Sequence, residues 1–392
     1  MILKNKTDRL IKNKSFIYKF LLFSLSLVMG YLLYGFFSWL IIGNNKTEPD
    51  FFMKWYNTRK ASNYHKPAFD TIVIVDADNL NRKQLAKMLY HLDSMQPKVI
   101  GFDLLLEEKR DRYDDSVLLA IKHCHPNIIL PVYLDEKGSL RAPFFKKNVH
   151  NKNDQYEFSY GSVVFDDPWN TRTRQGDYYS FAYLVAKMYL GKEIDTSTFI
   201  VDYSPMTLNE RIYYDTVARS FMYLDLQIND KTPKLSGKIV LIGTLDRTVD
   251  AVSMSFPVRY DELYKPQYVI PGMISLSYEI RSLVDEGHRI KKMGVFLNLV
   301  LNICLIVMYL WFYERFRSRE EKFKRVYSSK RWLYVFMPLL GLALIILLEW
   351  LLVMAAFFIT DQSGWMPNLG VFMATLPVVK TADDIVSRLY EI

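Results

Sequence analysis

The chain has 392 residues, half of them hydrophobic, and a net charge of +8. Residues 1–42 carry +5, residues 293–392 carry +2, and residues 43–292 are nearly neutral at +1. A basic excess confined to the flanks of apolar segments sets orientation at a membrane and touches anionic headgroups, so no nucleic-acid or polyphosphate partner is expected.

In chain order, residues 1–15 form a basic N-terminus, with Lys4, Lys6, Arg9, Lys12 and Lys14 against Asp8. Residues 16–42 are the first apolar stretch, long enough for the roughly 20 helical residues that cross a bilayer. Its apolar core is longer than that of a signal peptide and no small-residue cleavage site follows, so it reads as an uncleaved anchor. Residues 293–313 and 333–359 are further spans, and residues 365–380 are a short, marginal fourth. The loop at 314–332 holds eight Lys or Arg against Glu314, Glu320 and Glu321. Basic short loops stay inside. Both basic flanks then agree that residues 43–292 lie outside, with the tail 381–392 inside. The two cysteines, Cys124 and Cys304, fall in the outer domain and in a span, so they cannot pair. An exported domain without disulfides suits a bacterial periplasm, and about 250 residues can bury enough apolar surface to fold without them.

The outer domain alternates strand and helix. Thr71–Val75 is a β-branched run typical of a strand covered on both faces. Leu85, Met88, Leu89 and Leu92 recur at helical spacing, with Asn79 or Asn81 as cap and Pro97 as stop. Val99–Phe102 starts the next strand, Tyr113–Cys124 is a helix, and Asn127–Leu134 a third strand. Residues 135–160 read as a polar excursion and Tyr160–Phe165 as a strand. A helix over Tyr178–Leu190 is closed by Gly191. Phe199–Asp202 is strand-like, residues 203–230 have no clear pattern, and Lys238–Gly243 is the clearest strand. Pro271 opens a last helix to about Glu286. The expected fold is an α/β extracytoplasmic domain with a mainly parallel sheet and flanking helices, plus a helical transmembrane region of about four spans.

Several stretches resemble, in order, CHASE2, the extracytoplasmic sensor domain of bacterial signalling proteins. They are Ile74-Val75-Asp76-Ala77-Asp78, the run Pro97–Asp103, the run Leu235–Gly243 followed by Asp250 and Pro257, and Pro271-Gly272. The frame of one span before the domain and three after it is also similar, over about residues 43–380. The family usually places His-Ala shortly after Pro-Gly, where this chain has Ile274-Ser275-Leu276-Ser277. Family members often continue into a kinase or cyclase. This chain reaches Ile392 without one, so the expected output is a separate polypeptide.

Asp76, Asp78, Asp103 and Asp250 fall at or just after strand carboxyl ends, where open α/β sheets bind ligands. Asp76 and Asp78, two apart, would point the same way and could converge on a cation or a polyhydroxylated ligand. The alternative is that these carboxylates cap helices and satisfy loop amides. His123-Cys124-His125 diverge by about 100° per residue on a helix and do not form a metal site. The aromatic runs Tyr203–Tyr223 and Tyr260–Tyr268 suit either core packing or a carbohydrate or partner surface. Glu349 is the one ionisable residue deep in a span. It is expected to face Asn302 at similar depth, as packing glue or as a coupling element. No catalytic, phosphate-loop or cofactor motif is present, so no enzyme and no cofactor is expected. The leading expectation is a membrane-anchored sensor subunit of the bacterial inner membrane that signals to a separate membrane or cytoplasmic protein. The alternative is a structural docking subunit of an envelope complex. The expected partners are the bilayer, that protein, a small-molecule or carbohydrate ligand, and a second copy of the chain.

Overall fold

A computed structural model gives the structure. It describes residues 16–35, 56–59, 71–109, 112–125, 127–134, 140–145, 159–163, 173–175, 178–195, 199–203, 211–223, 233–258 without 247 and 249, and 267–326 without 287 and 288. It also describes 343, 347 and 350–391 without 353, 361, 364 and 368. The chain divides into two compact units, one of residues 49–291 and one of residues 1–48 with 292–392.

The first helix, α1 (Phe16–Gly35), belongs to the second of these units. The 49–291 unit is built on β1 (Ile72–Asp76), β2 (Val99–Phe102), β3 (Ile128–Leu134), β5 (Ser159–Val163), β7 (Tyr178–Ser180) and β11 (Ile239–Gly243). Short strands β4 (Leu140–Arg141) and β6 (Arg174–Gln175) and the hairpin of β9 (Arg211–Asp215) and β10 (Ser220–Tyr223) complete a ten-stranded sheet. Its order is β10-β9-β1-β11-β2-β3-β5-β7-β6, with β4 on β3. The strands from β9 to β7 are parallel, and β10, β4 and β6 are antiparallel additions at the rim. The fold is α/β with a mainly parallel sheet.

Both faces are covered, which explains the unbroken β-branched runs. On one face lie α2 (Arg82–Ser94) and α3 (Asp114–His123). Leu85, Met88, Leu89 and Leu92 of α2 join Val73, Val75, Val240 and Ile242 in one core. Asn81 caps α2 through a reciprocal pair of bonds with Gln84, which meets two of the four amides a helix start leaves unpaired. On the other face, α4 (Phe181–Leu190) packs on β2, β3 and β5, and α5 (Gly272–Val284) on β1 and β11. Ile72 and Ile74, which alternate with Val73 and Val75, are as deeply buried. Away from this sheet, β8 (Phe199–Val201) pairs with β14 (Arg289–Lys292), and β12 (Ala251–Val258) with β13 (Gln267–Pro271). The patternless 203–230 contains the β9–β10 hairpin, whose five- and four-residue strands are too short to show a period.

The other unit corrects the span count. Among the described residues two helices are long and apolar enough to cross a membrane, Phe16–Gly35 and Phe296–Arg315, against about four expected. The second lies within α6 (Val295–Val326), which carries the helix well into the basic loop. The third stretch, 333–359, falls largely outside the described residues, apart from a short apolar helix Trp350–Thr360. The fourth is not a single span. β15 (Trp365–Met366) is extended, α7 (Gly370–Thr375) follows, a 3-10 turn spans Leu376–Val378, and α8 (Val379–Glu391) continues into the charged tail. Pro377 explains the tightened turn, because its ring removes a helical hydrogen bond.

Candidate functional site

β1, β11, β2 and β3 lie side by side and parallel, so their carboxyl ends open on one edge. The register sets Asp76 beside Gly243 and Ile242 beside Phe102. Asp76, Asp103 and Tyr133, together with the loop after Gly243, therefore share that edge.

Asp76 is the last residue of β1 and is half-buried. Its carboxylate accepts the Asp78 N–H at 3.2 Å. Asp78 lies in the turn beyond the strand, so the expected alternation does not reach it, and Ala77 still pairs with the Gly243 carbonyl at 2.9 Å. Asp78 instead accepts the Thr244 hydroxyl at 3.1 Å, which ties the loops after β1 and β11 together. Thr244 in turn accepts the Asp246 N–H, and Asp246 accepts both the N–H and the hydroxyl of Thr248 at 2.8 Å. Burial raises the Asp76 pKa. The Asp78 and Leu245 amides oppose that rise, and the Asp78 and Asp246 charges add to it. Asp246, held by Thr248, is lowered.

Asp103 is 7% exposed and sits one residue past β2, its N–H bonded to the Ile242 carbonyl at 2.7 Å. Its carboxyl accepts the Tyr133 hydroxyl at 2.8 Å. Burial pushes the Asp103 pKa up to about 8; the Tyr133 bond opposes this and the Asp250 charge adds to it. Tyr133 is raised well above the ordinary tyrosine range by its own burial and then by Asp103. Asp250 is raised by burial. Its carbonyl accepts the Gly272 N–H at 3.1 Å. A Cβ on Gly272 would stand 2.3 Å from Asp250 Oδ2, so glycine lets this carboxylate rest on the first turn of α5, where the helix dipole favours negative charge. The four candidate acids thus fall into two groups, Asp103 with Asp250 beside Tyr133, and Asp76 with Asp78, which Asp246 joins.

Chemically, the first group offers buried carboxyls whose pKa values are raised, which favours the protonated form, a hydrogen-bond donor, more than in an ordinary aspartate. The second group is occupied with loop amides and hydroxyls. Among the described residues, no three His, Cys, Asp or Glu side chains cluster so as to hold a metal ion. Tyr133, Thr244 and Asp246 were not singled out from sequence. Thr244 and Asp246 follow directly on the clearest strand, and that position was the available signal.

Cys124 caps α3, buried, its thiol 3.7 Å from the Leu89 carbonyl and pushed up to about 12 by burial. Tyr203, Tyr214 and Phe221 are buried, while Tyr268 is exposed. Tyr203 shares a 3.0 Å bond with Ser275 of α5. Asn302 gives its amide N–H to the Asn298 carbonyl at 2.7 Å and accepts the Phe372 N–H at 3.0 Å. Glu349 lies outside the described residues. Arg281 of α5, which the sequence pattern does not mark out, is fully buried, bonded to the Asp202 carbonyl at 2.5 Å, with the Asp202 carboxylate at 3.8 Å.

No curated protein and no solved structure matches the chain. The CHASE2 domain matches residues 25–311 of the 392, taking in the whole α/β unit and parts of the helices on either side. The glycines and acids described above, Gly101-Phe102-Asp103, Gly243, Asp250 and Gly272, lie inside that span, and the chain belongs to the CHASE2 family.

Proposed function

We propose that the chain is a membrane-anchored extracytoplasmic sensor that passes the state of a ligand or of the envelope to a separate partner protein. The observation that carries this reading is the extent of the family match. It embraces a sensor domain together with most of the two helices that are long and apolar enough to cross a bilayer. In this reading the domain sits in the periplasm of a bacterial inner-membrane protein and has no catalytic role. Its two chain exits lead to α1 and α6. A ligand that binds two states of the domain unequally shifts one helix against the other. The basic flanks at 1–15 and 314–332 support the orientation. Asp103 and Asp250 are the residues in this reading that meet the ligand, the first as a donor acid.

Orientation decides the matter. A reporter enzyme active only outside the cytoplasm, fused after Asn45 or within 135–155, is expected to be active, and the same reporter at Ser328 silent. The reverse pattern overturns the topology and the sensor reading with it.

A further inference from the structure

α8 buries one stripe, Val379, Ala382, Asp383 and Val386, spaced i, i+3, i+4 and i+7. Val379 and Ala382 pack with Leu22 of α1 and with Ile306, Tyr309 and Leu310 of α6. Asp384, Ile385, Arg388 and Leu389 face away and are exposed. A carboxylate in a buried apolar stripe is costly unless its oxygens are bonded. Asp383 is 3% exposed and both its oxygens are used. Tyr18 of α1 donates its hydroxyl to Oδ1, and Tyr313 of α6 donates to Oδ2 at 3.1 Å. Tyr18 also shares a 3.3 Å contact with Ser387, one turn further along α8. The next residue on each helix makes the ion pair Lys19–Glu314 at 2.7 Å.

A second attachment lies further along the same helices. Asn302 of α6 caps α7 through the Phe372 N–H at 3.0 Å. Gly30 of α1 lets Thr375 approach so closely that an added Cβ would stand 2.0 Å from its hydroxyl and 2.9 Å from its Cα. The segment from α7 to α8 is thus held to α1 and α6 at two levels, and at the Asp383 level one carboxylate needs both helices at once.

We propose that Asp383 is a latch, and that α8 stays docked only while α1 and α6 keep the register in which Tyr18 and Tyr313 reach the same carboxylate. A shift of roughly 1–2 Å that carries either tyrosine directly away from Asp383 takes its bond beyond hydrogen-bond range. The half-satisfied buried carboxylate then favours water, and it takes the Val379–Val386 stripe with it. Docked and released are two discrete states of one helix, which is what a small displacement needs if it is to be amplified. The use of the latch as the sensor's output rests on the function proposed above. The latch itself does not, and its test needs neither a ligand nor a topology.

The full chain in lipid nanodiscs, carrying Cys124→Ala and Cys304→Ala, receives Val386→Cys as probe. Maleimide is expected to label this buried cysteine slowly. Adding Tyr18→Phe with Tyr313→Phe keeps both rings and removes both hydroxyls, and labelling is expected to accelerate about tenfold or more, as the loss of bonds to a charged group implies. Hydrogen exchange of the α6 amides in the same samples shows whether the helix pair is intact. An unchanged labelling rate with α6 still protected overturns the latch. Where the double variant loosens α6, Tyr313→Phe alone decides: faster labelling with α6 protected supports the latch, and unchanged labelling overturns it.

Discussion

Asp103→Asn tests the buried acid directly. In the folded chain burial pushes the carboxyl pKa up to about 8, from an ordinary value of 3.8. Its folded pKa is raised, so its contribution to stability is full below about 3.9 and is lost as pH rises through the folded value. Between these limits the folded state holds one more proton than the unfolded state, and each pH unit costs about 1.4 kcal/mol. From about pH 5.5 to about pH 7.5 the loss from this group approaches about 3 kcal/mol. For a domain of this size that is about 6–12 °C in Tm. Asparagine keeps the acceptor for the Tyr133 hydroxyl and cannot ionise, so the variant lacks this slope. Thermal unfolding of the full chain in nanodiscs, followed by circular dichroism, should show wild type losing about 6–12 °C relative to Asp103→Asn across that range. Parallel curves would mean that Asp103 is already ionised at low pH, and the neutral donor described for the site would be wrong.

Two further variants probe the scaffold around the site. Gly161→Ala would place a Cβ 2.5 Å from the Phe181 Cα, backbone that cannot swing aside, and is expected to destabilise by about 1–3 kcal/mol in chemical denaturation. Arg281→Met strands the buried Asp202 carboxylate and should cost about 3–5 kcal/mol, with Asp202→Asn in the same chain recovering part of the loss. An Arg281→Met variant as stable as wild type would show that the pair contributes nothing.

Local chemistry made much of this protein legible without coordinates. The runs at 72–76, 99–102 and 239–243 announce buried parallel strands because two covered faces demand apolar residues without alternation. The Asn81 cap, the leucine spacing of α2 and the Gly191 stop are signals that reside in a few neighbouring residues. The candidate acids at strand ends were visible for the same reason. Five other features were not. Asp78 left the strand because a turn closed by its own N–H onto Asp76 intervenes. Asp103 became a weak acid because the fold buried it and set the Asp250 charge, 147 residues away, near it, against the opposing bond from Tyr133, 30 residues away. Arg281 looked like one more polar residue on a helix until α5 was buried on nearly every side. The apolar stretch at 365–380 passed as a short span by hydropathy, yet it is an extended pair, a Pro-tightened turn and parts of two helices. Asp383 lies just beyond it in the charged tail, and it is buried because Tyr18 and Tyr313, 365 and 70 residues away, converge on it. Spacing within one helix or strand is written along the chain. Burial and partnership between distant residues are set by which elements the fold brings together, and those contacts made carboxylates alike in sequence differ in chemistry.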